Sequence, residues 1–469
     1  MLPILLLIVL VPFAFLLPLV LADRDYSYTL SIIASTIVLL LTAYALYLSY
    51  TAGSSVLSTS NFYVPVLNLN FSLRVNQLSM MLLVMTAVVF FASSIVGKYF
   101  IGKRDRTYNI IFLLAEGSSL GVFIAANLFF FYVFWEVAEV MMFFIIFLYG
   151  GYNRRYASIK FIIYSIFSSL LMLIGILMLY NSVTPHTFNI GGLIASSGQI
   201  PAGTQAVILL LFVIAFLIKM PVFPLHSWLP DAHTEAPTTG SMILAGVLLK
   251  FGGYGLYLSF LILPVAAHYA LYLMLLFIFS TIYSAYVCLS QTNLKRLIAY
   301  TSITDMGLVG VGLAAMNAFG YSGSFYAMFN HGVVIAMLFL VAGTLDHVYG
   351  TLEIEKIKGV VKNFAGMSYL FILGVFAALG IPLTAGFIAD LFIFIGAVGT
   401  FGVLGIVPLF GVLVMGAALF WLIERVFMSA SKAVEPYNPL GSEVMIASLL
   451  LFGAAVLFGV LPVLFLGIH

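Results

Sequence analysis

Apolar residues run almost unbroken along this chain, and polar positions fall in short clusters between the runs. The runs are continuous rather than alternating, and each is about 20 residues long, which predicts membrane-spanning helices and argues against a β-barrel. Fourteen spans follow, near residues 2–21, 28–48, 78–97, 109–126, 128–149, 157–180, 204–220, 238–263, 267–290, 297–319, 321–345, 367–396, 403–428 and 442–466. The predicted fold class is an all-α integral membrane protein with 14 transmembrane helices. Residues 1–21 lack both a basic n-region and a small-residue cleavage site before Asp23, so they read as a retained helix, not a signal peptide.

The polar punctuation carries orientation. Loops and span ends that follow odd-numbered spans hold 15 of the Lys and Arg residues: Arg24; Lys98, Lys103, Arg104 and Arg106; Arg154, Arg155 and Lys160; Lys295 and Arg296; Lys356, Lys358 and Lys362; Arg425 and Lys432. Loops after even-numbered spans hold Arg74 alone. By the positive-inside rule the odd loops are cytoplasmic, or the equivalent side, and both termini lie outside. Composition then narrows the chemistry. At 64% hydrophobic and 7% charged, the chain is no soluble enzyme. A single Cys288 allows neither an internal disulfide nor a cysteine metal cluster. No basic patch suggests nucleic acid, and no dinucleotide fingerprint or other cofactor motif appears. The expectation is no metal and no cofactor in this chain.

Lys219 and Lys250 are the two basic residues left over from this tally, and they fall within spans, as do Glu116, Glu136, Glu139, Asp305 and Asp390. Lys250 is ten residues past Gly240, about 15 Å along its helix, and Glu136 is about 10 Å from the outer end of the fifth span. Neither can reach the interface by snorkelling. A charge at bilayer depth costs roughly 3 kcal/mol, so such groups face a bundle interior or a wet cavity. One isolated charge reads equally as a structural ion pair. A set of both signs on several helices favours a proton or ion route. Burial disfavours the charged form of either sign, which makes lysine and carboxylate proton exchangers. Glu139 stands one turn from Glu136 on the same face, either as a shared proton site or as a simple hydrogen-bond partner.

Two spans are interrupted. Pro221 and Pro224 follow Lys219, and Pro382 and Gly386 precede Asp390. Prolines free backbone carbonyls, and broken backbone at membrane depth is tolerated where it lines protein or water. Pro221 and Pro382 are five spans apart. The chain therefore reads as one polytopic domain with two five-helix units of opposite entrance, 109–263 (helices 4–8) and 267–428 (helices 9–13), flanked by 1–108 and by 442–469, and with broken helices 7 and 12.

The segment LIKMPVFPLHSWLPDAHTEAPTTGSMILAGVLLKFGGYG is similar to the hallmark of the antiporter-like subunits of respiratory complex I, of membrane-bound hydrogenases and of multisubunit cation/proton antiporters. FYVFWE (131–136), RRYASIKFIIYSIFSSLLML (154–173), NLKRLIAYTSITDMG (293–307) and FNHGVVIAMLFLVAG (329–343) match in the same order, so the resemblance covers about residues 76–425. It implies a proton-translocation axis of Glu136, Lys219, Lys250, His331 and Asp390. Glu136 takes the place of the fifth-helix glutamate that tunes its lysine partner. An acidic residue at 390 points to the M type, the chain-4 type of mitochondria. His226 and His233 resemble family positions and read as loop and helix-end hydrogen-bonding groups. The chain departs from the pattern at Asp305 for a usual histidine, at Asn76 and Asn127 for frequent aspartates, and at Glu139 for a usually apolar residue. Glu116 either tunes Glu136 or is structural.

The resemblance implies a proton-pumping membrane subunit of a complex I-type NADH- or ferredoxin-quinone oxidoreductase, a part of an enzyme that has no redox site of its own. Its partners would be neighbouring membrane subunits, the lipid bilayer and protons. One alternative is a subunit of an Mrp-type Na+/H+ antiporter or of a membrane-bound hydrogenase moving Na+ or H+. Another is a scaffold that only anchors its neighbours.

Overall fold

Fourteen helices long and apolar enough to cross a membrane are present among the described residues of the computed structural model. It describes residues 4–51, 56–64, 69–102, 105–429 and 441–466. Lys103, Arg104 and Lys432, which enter the orientation argument, lie outside them. We number the crossing helices α1 (Ile4–Leu21), α2 (Arg24–Thr51), α3 (Gln77–Ile101), α4 (Arg106–Ile124), α5 (Leu128–Tyr149), α6 (Arg154–Asn181), α7 (Ala202–Lys219), α8 (Thr238–Ile262), α9 (Ala266–Leu289), α10 (Leu294–Ala314), α11 (Ala318–Tyr349), α12 (Ala385–Ile406), α13 (Pro408–Met428) and α14 (Ser442–Val460). Each expected span has a crossing helix, with ends moved by a few residues except at the twelfth: the run expected at 367–396 is divided into a half-helix, Ala365–Ala378, and the crossing helix Ala385–Ile406.

Asparagine sets several of these starts. Asn76 accepts from Ser79 N at 2.8 Å while Ser79 Oγ accepts from Asn76 N at 3.0 Å, a capping box at the head of α3. Asn127 accepts from Phe129 N at 2.8 Å, Asn293 from Arg296 N at 3.0 Å and Asn317 from Gly320 N at 2.8 Å, opening α5, α10 and α11. Asn76 and Asn127, where the resemblance led one to look for aspartate, are thus helix caps. An amide oxygen accepts an N–H as a carboxylate does.

A hairpin that the span reading passed over joins α2 to α3: β1 (Val56–Val64) pairs antiparallel with β2 (Leu69–Asn76). Its signal is the alternation Leu73, Arg74, Val75, with Leu73 and Val75 buried and Arg74 exposed. A window of helix length averages that period away.

Both expected breaks exist. After α7 the chain turns irregular and resumes as a helix over Trp228–Glu235. Before α12 a half-helix, Ala365–Ala378, ends short, and the backbone is irregular until Ala385. The most apolar windows of α8 and α11 are 100% and 94% buried within the chain, against 22% for α12. Charges on α8 and α11 therefore meet protein rather than lipid.

Candidate functional site

α7 stops where its prolines require. Met220 N still donates to Phe216 O at 2.8 Å and Val222 N to Leu217 O at 3.0 Å, after which Pro221 and Pro224 remove two donors from the ladder. The freed groups find side chains instead. Trp228 Nε1 donates to Ile218 O at 2.9 Å, and Phe223 N donates to Ser280 Oγ on α9 at 3.1 Å. Lys219, the last residue of α7, is held at this end, only 1% exposed. Its Nζ lies 2.6 Å from Glu139 Oε1 and donates to Ser165 Oγ at 3.4 Å. It also stands over the rings of Phe161 and Trp228, 4.7 and 5.5 Å from their centroids.

The lysine's direct partner is therefore Glu139, not Glu136. The reason is the rotation of α5. Its buried residues Phe131, Trp135, Ala138, Glu139, Met142, Ile145 and Ile146 recur at helical spacing, so residue 139 lies mid-stripe and 136 at its edge. Glu136 is half-buried, its Oε1 has no hydrogen-bond partner, and the charges of Glu139 and Lys219 both act on it.

Lys250 sits one helix further in and is fully buried. Residues Leu244–Leu248 form a π-turn within α8, a wider turn that displaces carbonyls from the α ladder. Lys250 Nζ donates to the carbonyl of Ala245 within that turn, and its Nζ is 2.6 Å from His331 Nδ1 on α11. His331 Nε2 has no hydrogen-bond partner. Beside this contact the two helices touch closely: a Cβ on Gly246 would stand 3.2 Å from Gly332 O.

Asp390 lies one turn into α12, with its carboxyl turned back over the break: a Cβ on Gly380 would come within 2.4 Å of Asp390 Oδ2. Gly380 has φ +69°, the left-handed region that glycine enters without strain. Asn330, next to His331, donates to Ala377 O at 3.0 Å and so caps the half-helix before the break, joining α11 to the Asp390 region. Sequence reading missed Asn330; its position beside the histidine was the available signal. Asp305 on α10 is half-buried, within electrostatic range of both Asp390 and Lys250. The structure thus makes two direct contacts, Lys219 with Glu139 and Lys250 with His331. Asp305 and Asp390 stand beyond them without a direct hydrogen bond to either pair.

The other candidates divide. Glu116 accepts from Ser35 Oγ at 2.8 Å, tying α4 to α2. His233 is fully buried and lies flat on Phe339, ring centroids 4.3 Å apart, and neither ring nitrogen has a hydrogen-bond partner. Packing against an aromatic face, not helix-end bonding, is its role in the fold. His226 packs against Tyr283 and Phe223, and burial, then the charge of Lys160, push its imidazole below the ordinary value. Asp231, in the same segment, was not anticipated: it pairs with Lys160 of α6 at 2.7 Å and with Arg296 of α10 at 3.2 Å. A polar cavity of about 280 Å³ lies nearby, lined by Glu235, Lys295 and Asp346 among others. Among the described residues no three His, Cys, Asp or Glu side chains converge to hold a metal ion.

Fourteen crossing helices, two of them broken, around paired buried charges define an antiporter-like membrane subunit. The family model described as NADH:quinone oxidoreductase/Mrp antiporter, TM, matches residues 125–419, and the chain belongs to that family. It is 33% identical over 400 residues to NADH-quinone oxidoreductase subunit M of Rickettsia felis, covering 84% of this chain and 81% of the relative. It is 34% identical to F(420)H(2) dehydrogenase subunit M of Methanosarcina mazei, covering 100% of this chain and 95% of that one. Among solved structures it resembles a chain of respiratory complex I from Thermus thermophilus at TM-score 0.89 and 27% identity, over 98% of this chain and 96% of that one. The likeness to a chain of the Mrp complex from Dietzia sp., TM-score 0.84 at 18% identity over 97% and 94% of the two chains, is one of fold.

Proposed function

We propose that this chain is a proton-translocating subunit of a complex I-type quinone-reducing assembly, coupling redox energy released in partner subunits to proton movement. The observation that carries the reading is that both intramembrane lysines are buried and each has a proton-exchanging partner at 2.6 Å, Glu139 for Lys219 and His331 for Lys250. A charge in this setting is expensive to hold, and its partner sets whether it keeps its proton. In this reading the two five-helix units, 109–263 and 267–428, meet along the axis, the loops after odd-numbered helices face the cytoplasm, and both termini lie outside. A proton enters by the α7 break, reaches Lys219, crosses by Lys250 and His331 to the Asp390 region and leaves on the outer face. Glu136 sets the state of the Lys219 pair as a neighbouring subunit changes charge. Moving one charge against 100 mV takes about 2.3 kcal/mol, less than the roughly 3–5 kcal/mol that separates a made from a broken buried ion pair.

The test is proton uptake by vesicles carrying the assembled complex. Lys219→Ala and Glu136→Ala are expected to abolish pumping while the complex still assembles, and full pumping in Lys219→Ala overturns the reading. The extra carboxyls at 139 and 305 favour one second reading, transport of Na+ in the manner of an antiporter or hydrogenase subunit. Uptake that needs sodium and survives a protonophore would select it.

A further inference from the structure

The atypical acid is the one that touches the lysine. We propose that Glu139 and Glu136 form a two-position proton relay on one face of α5, in which Glu139 is the immediate counter-ion of Lys219 and Glu136 is the outer member that gives and takes the proton. The relay rests on the reading of Lys219 as a proton-transfer group.

Three observations meet here. Glu139 and Lys219 are in contact at 2.6 Å with side chains only 2% and 1% exposed, so the pair is sealed inside the chain. Glu136 is three residues earlier, which sets the two Cβ atoms about 5–6 Å apart on one face. It is half-buried at the edge of the stripe, with an unpartnered carboxyl oxygen under the charges of both other groups. Finally, Lys219 has somewhere to stay when Glu139 is neutral: the Ser165 hydroxyl at 3.4 Å and the ring faces of Phe161 and Trp228.

Charge counting gives the states. Two carboxylates beside one ammonium leave a net negative charge in a buried place. One proton on the carboxyl pair makes the trio neutral, and that proton has two addresses. With the proton on Glu136, Glu139 is a carboxylate and holds Lys219. In the step itself the O–H bond of Glu136 breaks, an O–H bond forms on Glu139, and no electron moves. The negative charge shifts one turn toward the edge of α5, the ion pair is lost, and Lys219 rests on the aromatic faces. The reverse transfer restores the pair.

The experiment uses the whole complex in vesicles, driven by its own electron donor, with Glu139→Leu, Glu139→Gln, Glu139→Asp, Glu136→Gln and Lys219→Ala compared. Glu139→Leu and Glu139→Gln are each expected to lower protons pumped per electron roughly tenfold or more, as loss of a proton-transfer group does, and Glu139→Asp to recover part of it. Infrared difference spectra of turnover should show a paired loss and gain of carboxylic C=O absorption that either Glu136→Gln or Glu139→Gln removes, a signature a structural glutamate does not give. Wild-type pumping in Glu139→Leu, or the paired band surviving in Glu139→Gln, overturns the relay. If Lys219→Ala has lost pumping in that same set, the proposed function stands and the relay alone falls. If Lys219→Ala also pumps fully, both fall.

Discussion

Gly252 shows how one residue controls the spacing between the two helices that carry the buried lysines. A Cβ there would lie 2.6 Å from both Met220 N and Phe216 O, backbone atoms at the end of α7 that no rotamer change can move aside. The absent side chain lets α8, which carries Lys250, lie directly against the terminus that carries Lys219. Gly252→Val is expected to cost about 1–3 kcal/mol through forced separation of the two helices. It should appear as a lower melting temperature of the solubilised complex, whereas a melting curve like the wild type's would mean that α8 can move away without cost. At this scale the lysines were legible in the sequence because an ammonium among aliphatic residues contrasts with every neighbour. Asn330 and Ser165 were not, since a single small polar residue in a membrane helix is common and only its contact says what it does.

At the scale of elements, the prolines announced the break after α7 but not how its backbone is satisfied. The Ile218 carbonyl, released from the ladder, accepts from Trp228, which also offers its face to Lys219. Trp228→Phe keeps an aromatic face and removes that donor. An orphaned buried carbonyl costs about 1–3 kcal/mol. The variant should therefore melt earlier yet keep measurable pumping, and unchanged thermal stability would mean that the carbonyl finds another donor. The π-turn at Leu244–Leu248 had no comparable sequence signal. It contains neither proline nor any polar residue, and the close passage of Gly246 against Gly332 exists only once α8 and α11 are packed.

Over the whole molecule, Asp231 draws α6 and α10 together through Lys160 and Arg296, so the segment after the break is tied to helices of both halves of the chain. Charge placement also implies a handedness across the membrane. Tyr152, in the α5–α6 connection, is 99% exposed, and Cys288 is buried. In a Cys288→Ser background, Tyr152→Cys should react with a membrane-impermeant maleimide only from the cytoplasmic side; labelling from outside would invert the topology. Span number, the two breaks and the intramembrane charges follow from the sequence by itself. Each reflects the cost of moving one stretch of chain from water into hydrocarbon, and that cost is summed along the chain. Which carboxylate meets Lys219 was left to the tertiary structure. Residues 136 and 139 share a helix face in a segment that is apolar all round, so no contrast in the sequence marks its inward stripe. The rotation of α5 against α6 and α7 puts Glu139 in the stripe and Glu136 at its edge, and that rotation is settled by packing.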